Sequence, residues 1–193
     1  YSTAMGHLIY LESIPKIYIR QLNLNLGTFV LGNSREQKDT MGILQHCRDS
    51  RLDIIRKIEK SNPKFDLHNY NNNVDLSALD DQERILFDGT IQNRDILRNA
   101  LPELEKNEPN HKLIGQLLSS HHQVLRDVLN VSTPKIESML NAALNAGALG
   151  GKINGSGGGG CMFAYSPESP EKVAEAIESV GGKAYIIQSD EGT

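Results

Sequence analysis

Twelve consecutive residues carry the strongest chemical signal in the chain: Gly150-Gly151-Lys152-Ile153-Asn154-Gly155-Ser156-Gly157-Gly158-Gly159-Gly160-Cys161, seven of them glycine. Without side chains in the way, successive backbone N–H groups can converge on one point and approach an anion closely, which is the chemistry of phosphate binding. A plain hairpin or bulge needs far fewer glycines. The Ser156 hydroxyl could donate to a phosphate or only cap the turn. Lys152 could add charge, and on an alternating strand it serves equally as a solvated face residue. The segment is not a Walker loop, because no Gly-Lys-Ser/Thr follows the glycines, and not a dinucleotide fingerprint, because it leads into a strand.

A second group of candidates is Asn33, Ser34, Lys38 and Asp39, where a strand ends and a helix begins. That is a usual place for substrate contacts and equally for helix capping. His121 and His122 are adjacent, so on a helix they point about 100° apart and do not grip one metal ion; both read as structural. Cys161 has no base beside it and reads as a small buried thiol. Cys47 and Cys161 lack metal-ligand spacing, so no metal site and no disulfide framework is expected.

The elements that must position these residues follow from periodicity and punctuation. Leu8 to Leu11, Ile17 to Leu22 and Thr28 to Leu31 read as three strands in an antiparallel meander. A helix follows Asp39-Thr40, with a stripe of Ile43, Leu44, Cys47, Ile54, Ile55 and Ile58 that Arg51 interrupts and Asn62-Pro63 ends. Asn69 to Asn73 reads as an exposed connector. Asp80-Asp81 opens a long helix that Pro102 should kink or split, and Pro109 to His111 opens another, with Ile114, Leu117, His121, Leu125 and Val128 on one face. Thr133-Pro134 starts a further helix ending at Gly147, and Ser169-Pro170 one that Gly181-Gly182 stop. Ala148 to Asn154, Cys161 to Ser166 and Lys183 to Gln188 are strands. The clustered strands and helices predict an α+β fold, a ferredoxin-like, mostly antiparallel sheet with helices packed on one face.

Composition narrows the partners. The 193 residues carry a formal net charge of −4, with lysines and arginines scattered among acids, so no nucleic acid is expected. No apolar run reaches the roughly 18 to 20 residues of a membrane span, and no leader segment is evident, so a cytoplasmic location and no membrane are the expectation. One domain fits this length.

The glycine segment resembles the C-terminal glycine-rich motif of the GHMP superfamily of small-molecule kinases, named for galactokinase, homoserine kinase, mevalonate kinase and phosphomevalonate kinase. Lys152-Ile-Asn-Gly-Ser-Gly-Gly-Gly-Gly-Cys161 is similar to the mevalonate-kinase form. Gly115-Gln-Leu-Leu-Ser-Ser-His-His122, Leu125-Arg126-Asp127 and Val131-Ser132-Thr-Pro134 resemble the galactokinase helix before that motif. Gln92-Asn93-Arg94 resembles in placement a helix segment with Glu-x-x-Arg, although the glutamate is absent. The resemblance implies that residues 1–193 are the C-terminal domain of a galactokinase-like sugar kinase using ATP and Mg²⁺. Tyr1 to Gly6 resembles the segment directly after the family's Asp-Gln, so the catalytic aspartate and the ATP- and sugar-binding domain are expected upstream of Tyr1. The chain alone is then expected to be inactive, with no tightly bound cofactor, and to self-associate through the face that meets the upstream domain. The family's role for the loop, supporting the central phosphate loop, carries over to Gly155, Ser156, Gly157, Gly158 and Gly159. Asn33, Ser34 and Lys38 fall on the substrate side. Where galactokinases usually place a sugar-contacting tyrosine, this chain has Lys38-Asp39-Thr40, so another hexose, an amino sugar or a heptose fits the same residues. The alternatives are a sugar- or nucleotide-sensing regulatory protein with a kinase fold, or a mevalonate-type kinase.

Overall fold

The computed structural model describes residues 8–13, 16–22, 24–37, 40–70 and 73–190. The strands are β1 (Leu8–Glu12), β2 (Tyr18–Leu22), β3 (Thr28–Asn33), β4 (Gly150–Ile153), β5 (Cys161–Tyr165) and β6 (Lys183–Gln188). The helices are α1 (Thr40–Ser61), α2 (Asp81–Leu104), α3 (His111–Asp127), α4 (Pro134–Asn145) and α5 (Pro170–Ser179). Four strands form an antiparallel sheet in the order β4-β5-β3-β6. With α4 and α5 as crossovers this is the βαββαβ arrangement of the ferredoxin-like fold, in agreement with the sequence pattern.

The expected β1-β2-β3 meander does not form. β1 and β2 pair with each other as a separate two-stranded sheet, while β3 lies between β5 and β6. The reason lies in the side chains. Residues of β3 alternate between buried and half-buried, so neither face is polar and the strand suits the middle of a sheet. β1 and β2 instead carry Glu12 and Arg20.

One sheet face is covered by α4 and α5. Val30, Ile153, Met162 and Ala164 meet Ile136, Met139, Leu140, Ala143, Val173 and Ile177, all buried, in one apolar cluster. Thr133 caps α4 by accepting from the Ile136 N–H, and Pro134 supplies the first turn. α2 begins with a complete capping box between Asp80 and Glu83. Pro102 neither splits nor ends α2, which runs on to Leu104; so near the terminus, proline forfeits only the bond to the carbonyl four residues back.

α1 departs most from its predicted stripe. Ile54 and Ile58 are buried against Leu79 and Phe87, but Leu44 is half exposed and Met41 lies in solvent. The expected asparagine-rich connector also contributes to packing, since Tyr70 meets Phe87 edge-on with ring centroids 5.1 Å apart. Asn71 and Asn72 lie outside the described residues.

α3 is drawn onto β4 by two glycines. A Cβ on Gly115 would stand 2.3 Å from the Leu149 carbonyl oxygen, and one on Gly150 would stand 1.8 Å from that of Gly115. Backbone meets backbone there, so neither neighbour can yield by rotating a side chain. Gly115→Ala is therefore expected to cost about 1–3 kcal/mol of unfolding free energy or more, measured by urea denaturation. An unchanged midpoint would show that the helix can slide off the strand freely.

Candidate functional site

The glycine loop joins β4 to β5 and is held at three points. Asn154 N–H donates to Cys161 O across its base at 2.8 Å. Gly158 N–H donates to Val131 O at 2.6 Å, and Ser34 N–H donates to Gly160 O at 2.8 Å. The loop is thus tied on one side to the α3–α4 connection and on the other to the end of β3. Gly157, Gly158, Gly159 and Gly160 have φ of 82°, 73°, 107° and 74°, a left-handed run that L-residues with side chains avoid. The space is also closed: a Cβ on Gly157 would lie 2.5 Å from Val131, and one on Gly158 2.1 Å from Ile43 Cδ1.

Among the described residues, the backbone N–H groups of Gly155, Ser156, Gly157 and Gly159 make no hydrogen bond within the protein. Gly157 and Gly159 are themselves buried residues. Buried donors without partners are costly unless something accepts from them, and a phosphate oxygen does so well. The Ser156 hydroxyl makes only a 3.5 Å approach to Gly157 O, which leaves it available. Ile43, Arg48, Arg51, Val131, Gly155 and Ser156 together line a cavity of about 370 Å³. Arg51, which breaks the apolar stripe of α1, has its Nε buried there without a hydrogen-bond partner. Its guanidinium supplies the positive charge that an oxyanion next to a glycine turn requires.

The α3–α4 connection that holds Gly158 is itself clasped. Ile153 N–H donates to His122 Nδ1 at 3.3 Å, leaving His122 Nε2–H to donate to Glu137 Oε1 at 2.7 Å. Ser132 Oγ also donates to Glu137 Oε1, and Arg126 Nη1 reaches Glu137 Oε2 at 3.4 Å. Burial pushes the Glu137 carboxyl up, but these donors outweigh it and hold it below the ordinary value. The Thr133 hydroxyl donates to Glu36 at 2.6 Å, closing the ring back to the β3 end.

Of the sequence-based candidates, the structure brings Gly155, Ser156, Gly157, Gly158, Gly159, Asn33 and Ser34 into one neighbourhood. The Asn33 side chain accepts from Arg35 N–H, and the buried Ser34 hydroxyl accepts from Glu36 N–H. Both side chains thus stabilise the turn, and Arg35 takes up a φ of 62° within it. Lys38 and Asp39 lie outside the described residues. Lys152 Nζ donates to Ile153 O at 2.8 Å and lies over the Phe163 ring, so it turns to the sheet rather than to the loop. Cys161 is half-buried rather than buried. On α3 the expected face is apolar: Ile114 is buried, Leu117 and His121 line an apolar cavity on the open side of the sheet and Leu125 packs against the core, while the neighbouring His122 is buried in the clasp. His122 is structural as expected, while Val131, Glu36 and Glu137 are the supporting residues that residue chemistry alone missed. Their only signal was the spacing of His122, Arg126 and Ser132 around two helix ends.

Residues 100–183 match the family model described as GHMP kinases C terminal. This segment is a GHMP kinase C-terminal domain. The mevalonate kinase of Thermococcus onnurineus (strain NA1) is 48% identical over 93 residues, which are 48% of this chain and 27% of that protein. The galactokinase of Clostridium perfringens (strain SM101 / Type A) is 26% identical over 185 residues, 90% of this chain and 44% of that protein. The fold superposes on that of Lactococcus lactis galactokinase complexed with galactose with a TM-score of 0.80 and 19% identity, over 100% of this chain and 52% of that one. Mevalonate kinases predominate among the relatives, with galactokinase also present. The chain spans about half or less of the length of the relatives it matches.

Two outcomes test the GHMP domain's clasp and its buried imidazole. Glu137→Ala strands the His122 and Ser132 donors and should lower unfolding free energy by about 1–3 kcal/mol at pH 7, read by urea denaturation. An unaltered midpoint would sink the clasp. Burial first, and then the charge of Lys152, push His121 from 6.5 down to about 4. The unfolded chain takes up this proton near 6.5 and the folded one only near 4, so acidification across that interval favours unfolding. His121→Leu should flatten the fall in melting temperature over the same interval. A fall as steep as wild type would place the titrating group elsewhere.

Proposed function

We propose that residues 1–193 are the C-terminal domain of an ATP-dependent kinase that moves the γ-phosphate of ATP to a hydroxyl of a small molecule. One observation carries this reading: a left-handed glycine run whose buried N–H groups have no acceptor among the described residues, beside the unpaired Arg51 Nε. Phosphoryl transfer depends chiefly on positioning and charge neutralisation. In this reading Gly155, Ser156, Gly157, Gly158 and Gly159 hold and support the phosphate end, and Asn33 and Ser34 shape the turn that flanks it. Lys38 belongs to the substrate side. The group acting on the acceptor hydroxyl comes from a part of the kinase that this chain does not contribute, so the chain alone does not turn over.

A sugar is the acceptor in this proposal. Support comes from the galactokinase-like spacing of His122, Arg126 and Ser132, residues that make one network here, and from the 185-residue likeness to a galactokinase. A second reading, mevalonate as acceptor, has its own observation: 48% identity to a mevalonate kinase over 93 residues. Mg²⁺ accompanies ATP in such a reaction. Among the described residues no three His, Cys, Asp or Glu side chains gather to hold a metal ion.

The test is ADP release with ATP and Mg²⁺ against hexoses, amino sugars, heptoses and mevalonate. It is run on the chain alone and on the same residues within a polypeptide of the relatives' length. The expected result is turnover only in the longer form and only with a sugar, reduced at least tenfold by Gly158→Ala, which combines a φ of +73° with the Ile43 clash. Turnover with mevalonate alone would select the second reading. Sugar or nucleotide binding without turnover in the longer form would replace catalysis with sensing.

A further inference from the structure

The sheet face opposite α4 and α5 holds a cavity of about 770 Å³, within the range of small-molecule sites, and the phosphate chemistry of the loop does not use it. Its floor is Phe29, Leu31, Phe163 and Ile187, which the strand register places side by side. α2 and α3 wall it, joined by a short connection, so Leu104 and Ile114 mark one end while Asn93 and His121 mark the other. Asn154, the residue before the glycine turn, lines it too.

The two ends differ in chemistry. At the first, Leu26, Leu104 and Ile114 belong to an apolar cluster. At the second, Asn93 Oδ1 is buried with no hydrogen-bond partner. Lys152 stands beside this end: it pairs with Phe163 across the sheet, and its Nζ lies 5.2 Å from that ring. Among the described residues no carboxylate pairs with Lys152, whose one hydrogen bond goes to the adjacent Ile153 carbonyl. A half-buried ammonium group without a counter-ion, on the sheet face that carries Phe163 of the cavity floor, is a poor arrangement unless an anion completes it.

We propose that this cavity binds a small amphipathic acid, with its hydrocarbon tail along Phe29, Leu26, Ile114 and Leu104 and its carboxylate paired with Lys152. The inference goes beyond the kinase reading and does not depend on it. The apolar lining supplies affinity for the tail; the lining's own Arg94 is already engaged by Asp95 and the Leu67 and Tyr70 carbonyls, so Lys152 fixes direction and selects an acid over a neutral analogue.

Decanoate and decanol are the probes, titrated calorimetrically into the 193-residue chain. Decanol is the more hydrophobic of the two, so burial alone would favour it. Decanoate is expected to bind at least about tenfold more tightly, the worth of a charge-assisted bond. Lys152→Met should remove this preference while decanol still binds, and Lys152→Arg should keep it. Ala100→Phe, which fills the lining, should weaken both probes, with circular dichroism and melting temperature showing that each variant is folded. Equal affinity for the two probes, a preference that survives Lys152→Met, or undiminished binding in Ala100→Phe would overturn the proposal. Binding of neither would overturn it as well, and is the result expected if an apolar segment of a longer polypeptide fills the cavity.

Discussion

The bond from Gly158 N–H to Val131 O is the constraint on which the site depends, because it fixes a run of glycines that has little conformational preference of its own. Glycine loses more freedom on ordering than any other residue, so four in succession stay in one left-handed conformation only if their surroundings hold them. The surroundings are unusually complete here. Val131 and Ile43 fill the space where side chains would stand, and Ser34 anchors the far end through Gly160. A loop fixed in this way presents its free N–H groups at constant positions, so an incoming phosphate need not first order the chain.

That anchor is only as firm as the α3–α4 connection, which explains the polar residues packed around it. His122 binds β4 on one side and Glu137 of α4 on the other, so strand, helix and connection move together. Glu137 collects donors from His122, Ser132 and Arg126. Satisfied in this way, a half-buried carboxylate rigidifies the site; with any donor removed, it would be a liability. The Gly115–Gly150 contact brings α3 close enough to β4 for His122 to reach Ile153.

Much of this was legible in the sequence, and the reasons are local. Thr133-Pro134 and Asp80 announce helix starts because capping is decided within a few residues. β5 was readable from an apolar run that begins where the glycines end. Apart from Pro102, which α2 runs through, the failures were non-local. β3 reads as the third strand of a meander until its two apolar faces are seen to require neighbours from the far end of the chain, β5 and β6. His121 and His122 are indistinguishable by type, and the packing of α3 decides which is buried in the clasp and which faces the apolar cavity. α1 shows an apolar stripe on both sides of Arg51, yet only its C-terminal half finds a partner helix.

The sequence by itself determined the α+β class, most helix limits, and a glycine run too long to be an ordinary turn, since propensity, capping and the glycine backbone are properties of neighbouring residues. Only the tertiary structure decided what stands around that run: Val131 as its acceptor, Arg51 as its nearby charge, Asn33 and Ser34 as turn formers, and Lys152 turned over Phe163 rather than to the loop. These assignments depend on which segments are brought within a few ångströms of each other. That is set by packing of the whole core, and spacing along the chain does not encode it in readable form.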